Sequence, residues 1–255
     1  MTNRQLQSPR LPVVHIGLPK TATKTLQWRL FARHSEILYL GRFDGEPFRA
    51  MHGPFAACRD ARIQRIMHEV AYHNIHACDL NACRASMQAY LSEHLGPGQL
   101  PVWSWESYCT DSYANRVRRA HNLKGLFGAA KILVTIRHPV PLLESAFLQQ
   151  LKRDNVGARY RLGKPAFYCG IDEWVARDAD GEVSDLLDYP RTIQAYTEAF
   201  GAHNIHFATF EHLLDSSEGF WAGICDFMGI SVAEALALLD GSDDNTRWGS
   251  TQLQR

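Results

Sequence analysis

The sequence predicts an α/β fold in three layers, with a central parallel sheet flanked by helices on both faces. Segments typical of buried strands alternate with segments of helical periodicity, and this alternation is the pattern of parallel sheets. The chain has 255 residues, 45% of them hydrophobic, so it can build one sizeable core. No internal repeat or linker-like stretch divides the sequence. We therefore predict a flexible N-terminal segment at residues 1–10 and a single domain over residues 11–255.

The first half of the chain supplies three of the predicted strands. A β-branched run at residues 12–17 is the first strand, and a helix over residues 23–34 follows it. The second strand covers residues 36–41. Residues 42–98 are predicted to be mostly helical, and glycine and proline at the end of this region break the chain. The third strand follows at residues 100–105.

The second half continues the alternation. Its predicted elements are a basic helix at 114–130, the strongest strand at 131–137, a helix at 138–153, a helix at 185–201, a strand at 204–210 and a helix at 217–229. Pro139 and Pro141 lie in the first turn of their helix, where a missing N–H costs little. Strands therefore remain separated by helices to the end of the pattern.

Charge and cysteine content limit the partners and the compartment. Lys and Arg number 27 and Asp and Glu number 27, so no global basic field favours nucleic acid as a partner. The N-terminal residues lack the apolar core of a signal peptide, and no run of about 18 apolar residues could span a bilayer. The six cysteines form no repeated CxxC pattern. We predict a cytoplasmic protein with reduced thiols and no stable membrane insertion.

The junction between the first strand and its helix has the features of an anion-binding site. It reads VVHIGLPKTATKTLQW over residues 13–28, a strand, a tight loop and a helix N-terminus. Loop and first-turn N–H groups converge on a ligand at such a junction, and the helix dipole adds to the attraction. The usual phosphate loop, G-x-x-x-x-G-K-[ST], does not fit. Aligning Lys24 and Thr25 with its end puts Leu18 and Thr23 where glycines should stand.

The segment PKTATKT instead resembles the 5′-phosphosulfate loop of the sulfotransferases, which reads roughly P-K-[ST]-G-T-[TS]-[SW]-L. The matching residues are Lys20, Thr21, Thr23, Thr25 and Leu26. Ala22 replaces the common glycine, and Lys24 replaces a common threonine or serine. This resemblance implies a three-layer P-loop-like fold.

A second segment resembles the 3′-phosphate motif of the same family, R-[NDH]-P-x-x-x-x-x-S at the end of a central strand. It supplies Arg137, Pro139 and Ser145 in KILVTIRHPVPLLESAF. An arginine at the carboxyl end of a strand can present two N–H groups to a phosphate. Weaker resemblances cover HSEILYLGR, the segment from residue 204 to residue 230, and DDNTRWGS. The last resembles the loop that closes over the donor and implies roles for Asn245 and Arg247.

The resemblance implies transfer of a sulfuryl group from 3′-phosphoadenosine 5′-phosphosulfate (PAPS) to a hydroxyl or amine, with adenosine 3′,5′-bisphosphate (PAP) as product. A sulfuryl group carries less negative charge than a terminal phosphoryl group, so lysines and backbone N–H groups can neutralise it and no metal is required. Lys20 would stabilise the leaving phosphate. The residues implied to wrap the 5′-phosphate are Thr21, Ala22, Thr23, Lys24 and Thr25.

An in-line transfer also needs a base for the acceptor proton. The segment VWSWESY resembles the S-x-E strand end that carries a glutamate in bacterial members, which makes Glu106 the candidate. Glu106 would end a strand lying beside the first. His15, His34 and Glu36 are the alternatives.

Other interpretations of the sequence remain open. A kinase-like phosphoryl transferase shares the fold type, and a binding module without turnover is a further possibility. Residue types that ligate zinc also occur between residues 68 and 83, in a spacing that fits no familiar zinc pattern: His68, His73, His76, Cys78 and Cys83. The predicted acceptor is a small molecule, carbohydrate or lipid, and residues 42–98 are predicted to be an insertion on the acceptor side. Residues predicted to give its pocket a partly polar character are Arg153, Arg159, Tyr160, Arg161, Lys164, Phe167 and Tyr168.

Overall fold

A computed structural model describes residues 10–41, 60–71, 75–109, 111–161, 170–177 and 182–240. Within these residues the strands are β1 Val13–His15, β2 Ile37–Gly41, β3 Leu100–Ser104, β4 Lys131–Ile136 and β5 Ile205–Thr209. They form one sheet in the order β2-β3-β1-β4-β5, and every neighbouring pair is parallel. The predicted α/β fold with a central parallel sheet is confirmed.

The helices connect successive strands, as the alternating sequence pattern predicts. Helix α1 starts as α-helix at Thr23–Thr25 and continues as π-helix over Leu26–Phe31. The other helices are α2 Ala61–Ala71, α3 Leu80–His94, α4 Tyr113–Phe127, α5 Pro139–Arg161, α6 Ile171–Arg177, α7 Glu182–Leu187, α8 Tyr189–Phe200, α9 Phe210–Asp215, α10 Ser217–Met228 and α11 Val232–Leu239. Within the described ranges, no helix has the length and apolar character that crossing a membrane requires.

The two faces of the sheet are covered by different helices. Side chains alternate along a strand, so neighbours on β1 enter opposite cores. Val14 is fully buried in a cluster that includes side chains of α2, α3, α4 and α8. Val13 is fully buried in a second cluster, built with α1, α10 and α11. The three layers follow from this division.

Helix α5 runs to Arg161 rather than to residue 153, and two further differences have a visible structural cause. Helix α1 ends at Phe31 rather than near His34, and the Ala32 N–H donates to the Gln27 carbonyl at 3.2 Å, an i→i+5 bond. The single helix predicted at 185–201 is two helices. Asp188 separates them because its side chain accepts from the Arg191 N–H at 3.3 Å and caps α8. The short helices α9 and α11 were not predicted.

Arg10 connects three segments of the chain at the amino edge of the sheet by hydrogen bonds. Its guanidinium donates to the Glu36 carboxylate at 3.3 Å, to the Gly98 carbonyl at 2.7 Å and to the Gly229 carbonyl. Glu36 also accepts from the Ser231 N–H at 2.6 Å. These groups lie just before β2 and β3 or between α10 and α11, away from the carboxyl ends of the strands.

Candidate active site

The loop between β1 and α1 has an unusual backbone. Lys20 has φ 69° and Ala22 has φ 63°, both in the left-handed region. Residues other than glycine are uncommon there, and each costs about 1–3 kcal/mol, so such conformations concentrate at functional sites. The loop stays attached to the neighbouring strand, because the Leu18 N–H donates to the Thr135 carbonyl at 2.9 Å. A left-handed residue at position 22 explains why glycine would suit this place in the loop.

The start of helix α1 exposes backbone donors to the loop. Ala22 is the N-cap, and no side chain of the described residues caps this end. The first turn contains no acidic residue, so nothing there repels an anion. Thr23 and Thr25 are buried, whereas Lys24 is exposed and its ammonium lies 5.3 Å from the Trp28 ring centroid. This geometry fits a phosphate or sulfate group held by backbone N–H groups.

Arg137 lies beside the same loop. It follows β4, its side chain is buried, and its guanidinium donates to the Lys20 carbonyl at 3.4 Å. The guanidinium carbon lies 4.5 Å from the Phe210 ring centroid, and the Tyr189 hydroxyl donates to the Arg137 carbonyl at 2.7 Å. Ser145 lies on α5, where it is half-buried. The two phosphate motifs of the sequence therefore meet at one edge of the sheet through Arg137 and Lys20.

Glu106 follows β3, the strand that pairs with β1 on its other side. The pairing is parallel, and the Trp105 N–H donates to the His15 carbonyl at 3.0 Å, so the carboxyl ends of both strands lie together. Glu106 is half-buried at the start of a 3-10 turn, and its carboxylate accepts from the Gln27 side chain at 2.9 Å. Lys20 and Glu106 thus follow the ends of adjacent strands. Ligands of open α/β sheets bind at this edge.

His15 lies beneath the site and is completely buried. Its Nδ1 lies 2.7 Å from the Ser104 hydroxyl, and its Nε2 lies 3.2 Å from the Thr135 hydroxyl. Burial lowers the pKa of the imidazole to about 3, so the ring is neutral near pH 7. Both ring nitrogens already have partners within the sheet.

Three polar residues around His15 were not singled out from the sequence. They are Gln27, Ser104 and Thr135, all buried. Gln27 donates to the Ser104 hydroxyl at 3.0 Å, and the Thr135 hydroxyl lies 2.6 Å from that of Thr21. The only signal in the sequence is one polar residue near the end of each apolar strand, His15 in β1, Ser104 in β3 and Thr135 in β4.

Gly17 allows this packing, and its replacement by alanine should be costly. A Cβ at Gly17 would lie 1.9 Å from the Thr135 hydroxyl oxygen and 2.4 Å from the His15 Nε2. We expect Gly17→Ala to lower the free energy of unfolding by about 1–3 kcal/mol, as overpacking does. Denaturant unfolding would measure the change. Gly223→Ala is the control, because the Nε2 of His206 lies a comfortable 4.0 Å from the added carbon. Equal stability of the two variants would contradict the steric argument.

Comparison with known proteins assigns the chain to a family. Residues 12–234 match a family model described as the sulfotransferase family. The chain belongs to the sulfotransferase family. A search of curated proteins found no match.

Solved sulfotransferases share the fold. A sulfotransferase from Alicyclobacillus acidocaldarius is 15% identical with a TM-score of 0.58, over 97% of this chain and 90% of that chain. A sulfotransferase domain from the curacin biosynthetic pathway is 17% identical with a TM-score of 0.52, over 92% and 79%. A sulfotransferase from Mycobacterium avium is 12% identical with a TM-score of 0.52, over 92% and 70%. At these identities the likeness supports the fold.

Some of the site residues predicted for this sulfotransferase lie outside the part of the chain that the structure describes. Asn245 and Arg247 lie beyond the described residues, and nothing is described for the side chains proposed to line the acceptor pocket. Among the described residues, no group of three or more His, Cys, Asp or Glu is placed to hold a metal ion. Cys78 and Cys83, two of the zinc-ligand types, have their sulfur atoms 3.9 Å apart. Burial raises the pKa of both thiols.

Proposed function

We propose that this sulfotransferase moves a sulfuryl group from PAPS to a hydroxyl or amine of a small-molecule, carbohydrate or lipid acceptor. One observation carries the proposal: the contact between Arg137 and the Lys20 carbonyl, which unites the 5′-phosphosulfate and 3′-phosphate motifs. A buried arginine at this place would have a clear role, which is to bind the 3′-phosphate of the donor. The family match favours sulfuryl over phosphoryl transfer.

The loop residues would bind the 5′ end of the donor. The start of α1 has no side-chain cap among the described residues, and the backbone N–H groups of Thr23, Lys24 and Thr25 would hold the 5′-phosphate there. The Lys20 ammonium would act on the bridging and leaving phosphate oxygens, where negative charge develops during transfer. Thr21 contributes differently, because its hydroxyl donates to the Leu18 carbonyl at 2.5 Å and faces the interior.

Glu106 would accept the acceptor's proton. Its place at the carboxyl edge beside β1 supports this role, because the base must lie across the transferred group from the leaving phosphate. The burial of His15 and its two hydrogen-bond partners argue against that alternative. The His34 Nε2–H donates to the Ser231 carbonyl at 3.0 Å and Glu36 pairs with Arg10, so both alternatives lie at the amino edge.

Binding of PAP tests the donor site directly. A ligand that binds only the native state raises stability by RT ln(1 + [L]/Kd). We expect PAP to raise the melting temperature well above the increase produced by AMP at equal concentration, because only PAP carries the 3′-phosphate. Arg137→Ala should remove this difference while the AMP response stays. Equal shifts for PAP and AMP in the unaltered protein would remove the argument for a 3′-phosphate site.

The acceptor class requires a separate experiment. Incubation with radiolabelled donor and a panel of phenols, sugars, lipids and amines would identify it by transfer of label. ATP, with and without EDTA, serves as the competing donor. Transfer from ATP and none from PAPS would replace the proposal with phosphoryl transfer.

A further inference from the structure

Hydrogen bonds form a continuous buried chain between Glu106 and the loop that joins β1 to α1 and contains Lys20, here called the Lys20 loop. The chain is, in order, Leu18 carbonyl, Thr21, Thr135, His15, Ser104, Gln27 and Glu106. Its interior members, Thr21 through Gln27 in this order, are all buried. Each is therefore dependent on the protein for its hydrogen-bond partners. The chain crosses β4, β1 and β3 in turn, so it runs across the sheet beneath the proposed reaction site.

The direction of donation can be deduced from the number of protons. The Thr21 hydroxyl donates its one proton to the Leu18 carbonyl, so the Thr135 hydroxyl must donate to Thr21. Because the Thr135 hydroxyl has only that one proton, it must accept in its contact with His15. The Nε2 of His15 therefore carries a proton and donates to Thr135. His15 is neutral, so its Nδ1 has a lone pair and accepts from Ser104.

The far end of the chain is set in the same way. Ser104 donates to His15, so it can accept from the Gln27 amide, as the 3.0 Å contact shows. The Gln27 NH₂ group has two protons, and the second is directed to the Glu106 carboxylate at 2.9 Å. The amide orientation that satisfies Ser104 is thus the orientation that holds Glu106. Gln27 therefore donates to Glu106 on one side, and on the other side the donation passes from Gln27 through Ser104, His15, Thr135 and Thr21 to the Leu18 carbonyl.

We propose that Gln27 is a positioning residue for Glu106, and that the chain through His15 fixes its amide relative to the Lys20 loop. This proposal rests on the proposed function, in which Glu106 is the base. A base and a leaving-group site on different strands must be held to within about 0.5 Å for efficient transfer. A displacement of 1 Å can lower a rate by about 10²-fold. Gln27 has the geometry to prevent such a displacement.

The tautomer of His15 tests the chain without any substrate. Nitrogen-15 NMR of the histidine rings distinguishes protonated from unprotonated nitrogens, and a His15→Gln variant identifies the signals. We expect a proton on Nε2 and none on Nδ1 at pH 7. Thr135→Val should disturb this tautomer, whereas Thr135→Ser, which keeps the hydroxyl, should preserve it. A proton on Nδ1 in the unaltered protein would overturn the deduced direction and the proposal with it.

The effect of Gln27 on Glu106 is measured in two ways. Gln27→Leu has similar volume and no donor. We expect it to move the carbon-13 carboxyl resonance of Glu106, assigned with Glu106→Gln, and to lower kcat by about 10- to 100-fold with the Kd of PAP nearly unchanged. An unmoved resonance or a normal kcat would overturn the positioning role. If the unaltered protein neither binds PAP nor turns over, the proposed function fails. The carboxyl resonance then still decides whether Gln27 holds Glu106.

Discussion

Lys20→Ala should lower kcat by about 10²- to 10³-fold, the usual loss when one group that stabilises developing charge is removed. The reason is that Lys20 is proposed to act on the leaving phosphate, whose charge increases only as the sulfuryl group departs. In the proposed PAP complex, backbone N–H groups and Arg137 would remain as partners. Its Kd should therefore rise much less than kcat falls. Single-turnover rates and calorimetric PAP binding, measured on the same preparation, separate the two effects.

Lys24→Ala is the matched control for this substitution. Both lysines lie on the same loop and helix start, but Lys24 is exposed and its ammonium faces the Trp28 ring. We expect only a small change in kcat from this variant. Lys20 also occupies a left-handed position, so its alanine variant should be compared with the unaltered protein for thermal stability. A Lys20→Ala protein that loses only donor affinity would show that the assigned role is wrong.

Glu106→Gln should lower turnover by about 10²-fold or more while PAP binding survives. Glutamine keeps the shape of glutamate and can still accept from Gln27, but it cannot take up the acceptor's proton. Measurements of kcat and of PAP binding on the same preparation provide both readouts.

Glu36→Gln tests whether the base lies at the amino edge of the sheet instead of the carboxyl edge. Glu36 pairs with Arg10 and accepts from the Ser231 N–H, so its loss should reduce stability. Its distance from the carboxyl edge predicts a kcat near that of the unaltered protein. Near-normal turnover of Glu106→Gln, together with a large kcat loss in Glu36→Gln, would transfer the base to the opposite edge.

The strands were predictable from sequence because each buried strand is a short continuous apolar run. Their parallel arrangement was predictable because helical segments separate them. The motif around Lys20 and that around Arg137 each lie in one continuous segment, so pattern and spacing suffice to find them. Gln27 is different. Its importance depends on Ser104 and Glu106, which lie 77 and 79 residues away, and no local pattern encodes that proximity. The break at Asp188 was missed because a side-chain cap competed with continued helical periodicity.

The π-helical course of α1 was also beyond local inference. Helix propensity predicts helix over these residues but does not distinguish i→i+4 from i→i+5 bonding. Leu26, Leu30 and Phe31 are all fully buried in the second core, so the helix is packed along these positions. The same helix carries Gln27 toward the sheet.

The central place of β1 has a consequence for how the chain folds. Strand β1, the first strand among the described residues, pairs with partners far ahead in the sequence: His15 contacts Ser104 across 89 residues and Thr135 across 120. Such distant pairings close large loops and slow folding. The Lys20 loop is attached to β4, because the Leu18 N–H donates to the Thr135 carbonyl, so its contacts are complete only after β4 has docked. Donor binding would thus require the docking of β4 on β1, and its appearance would report that step.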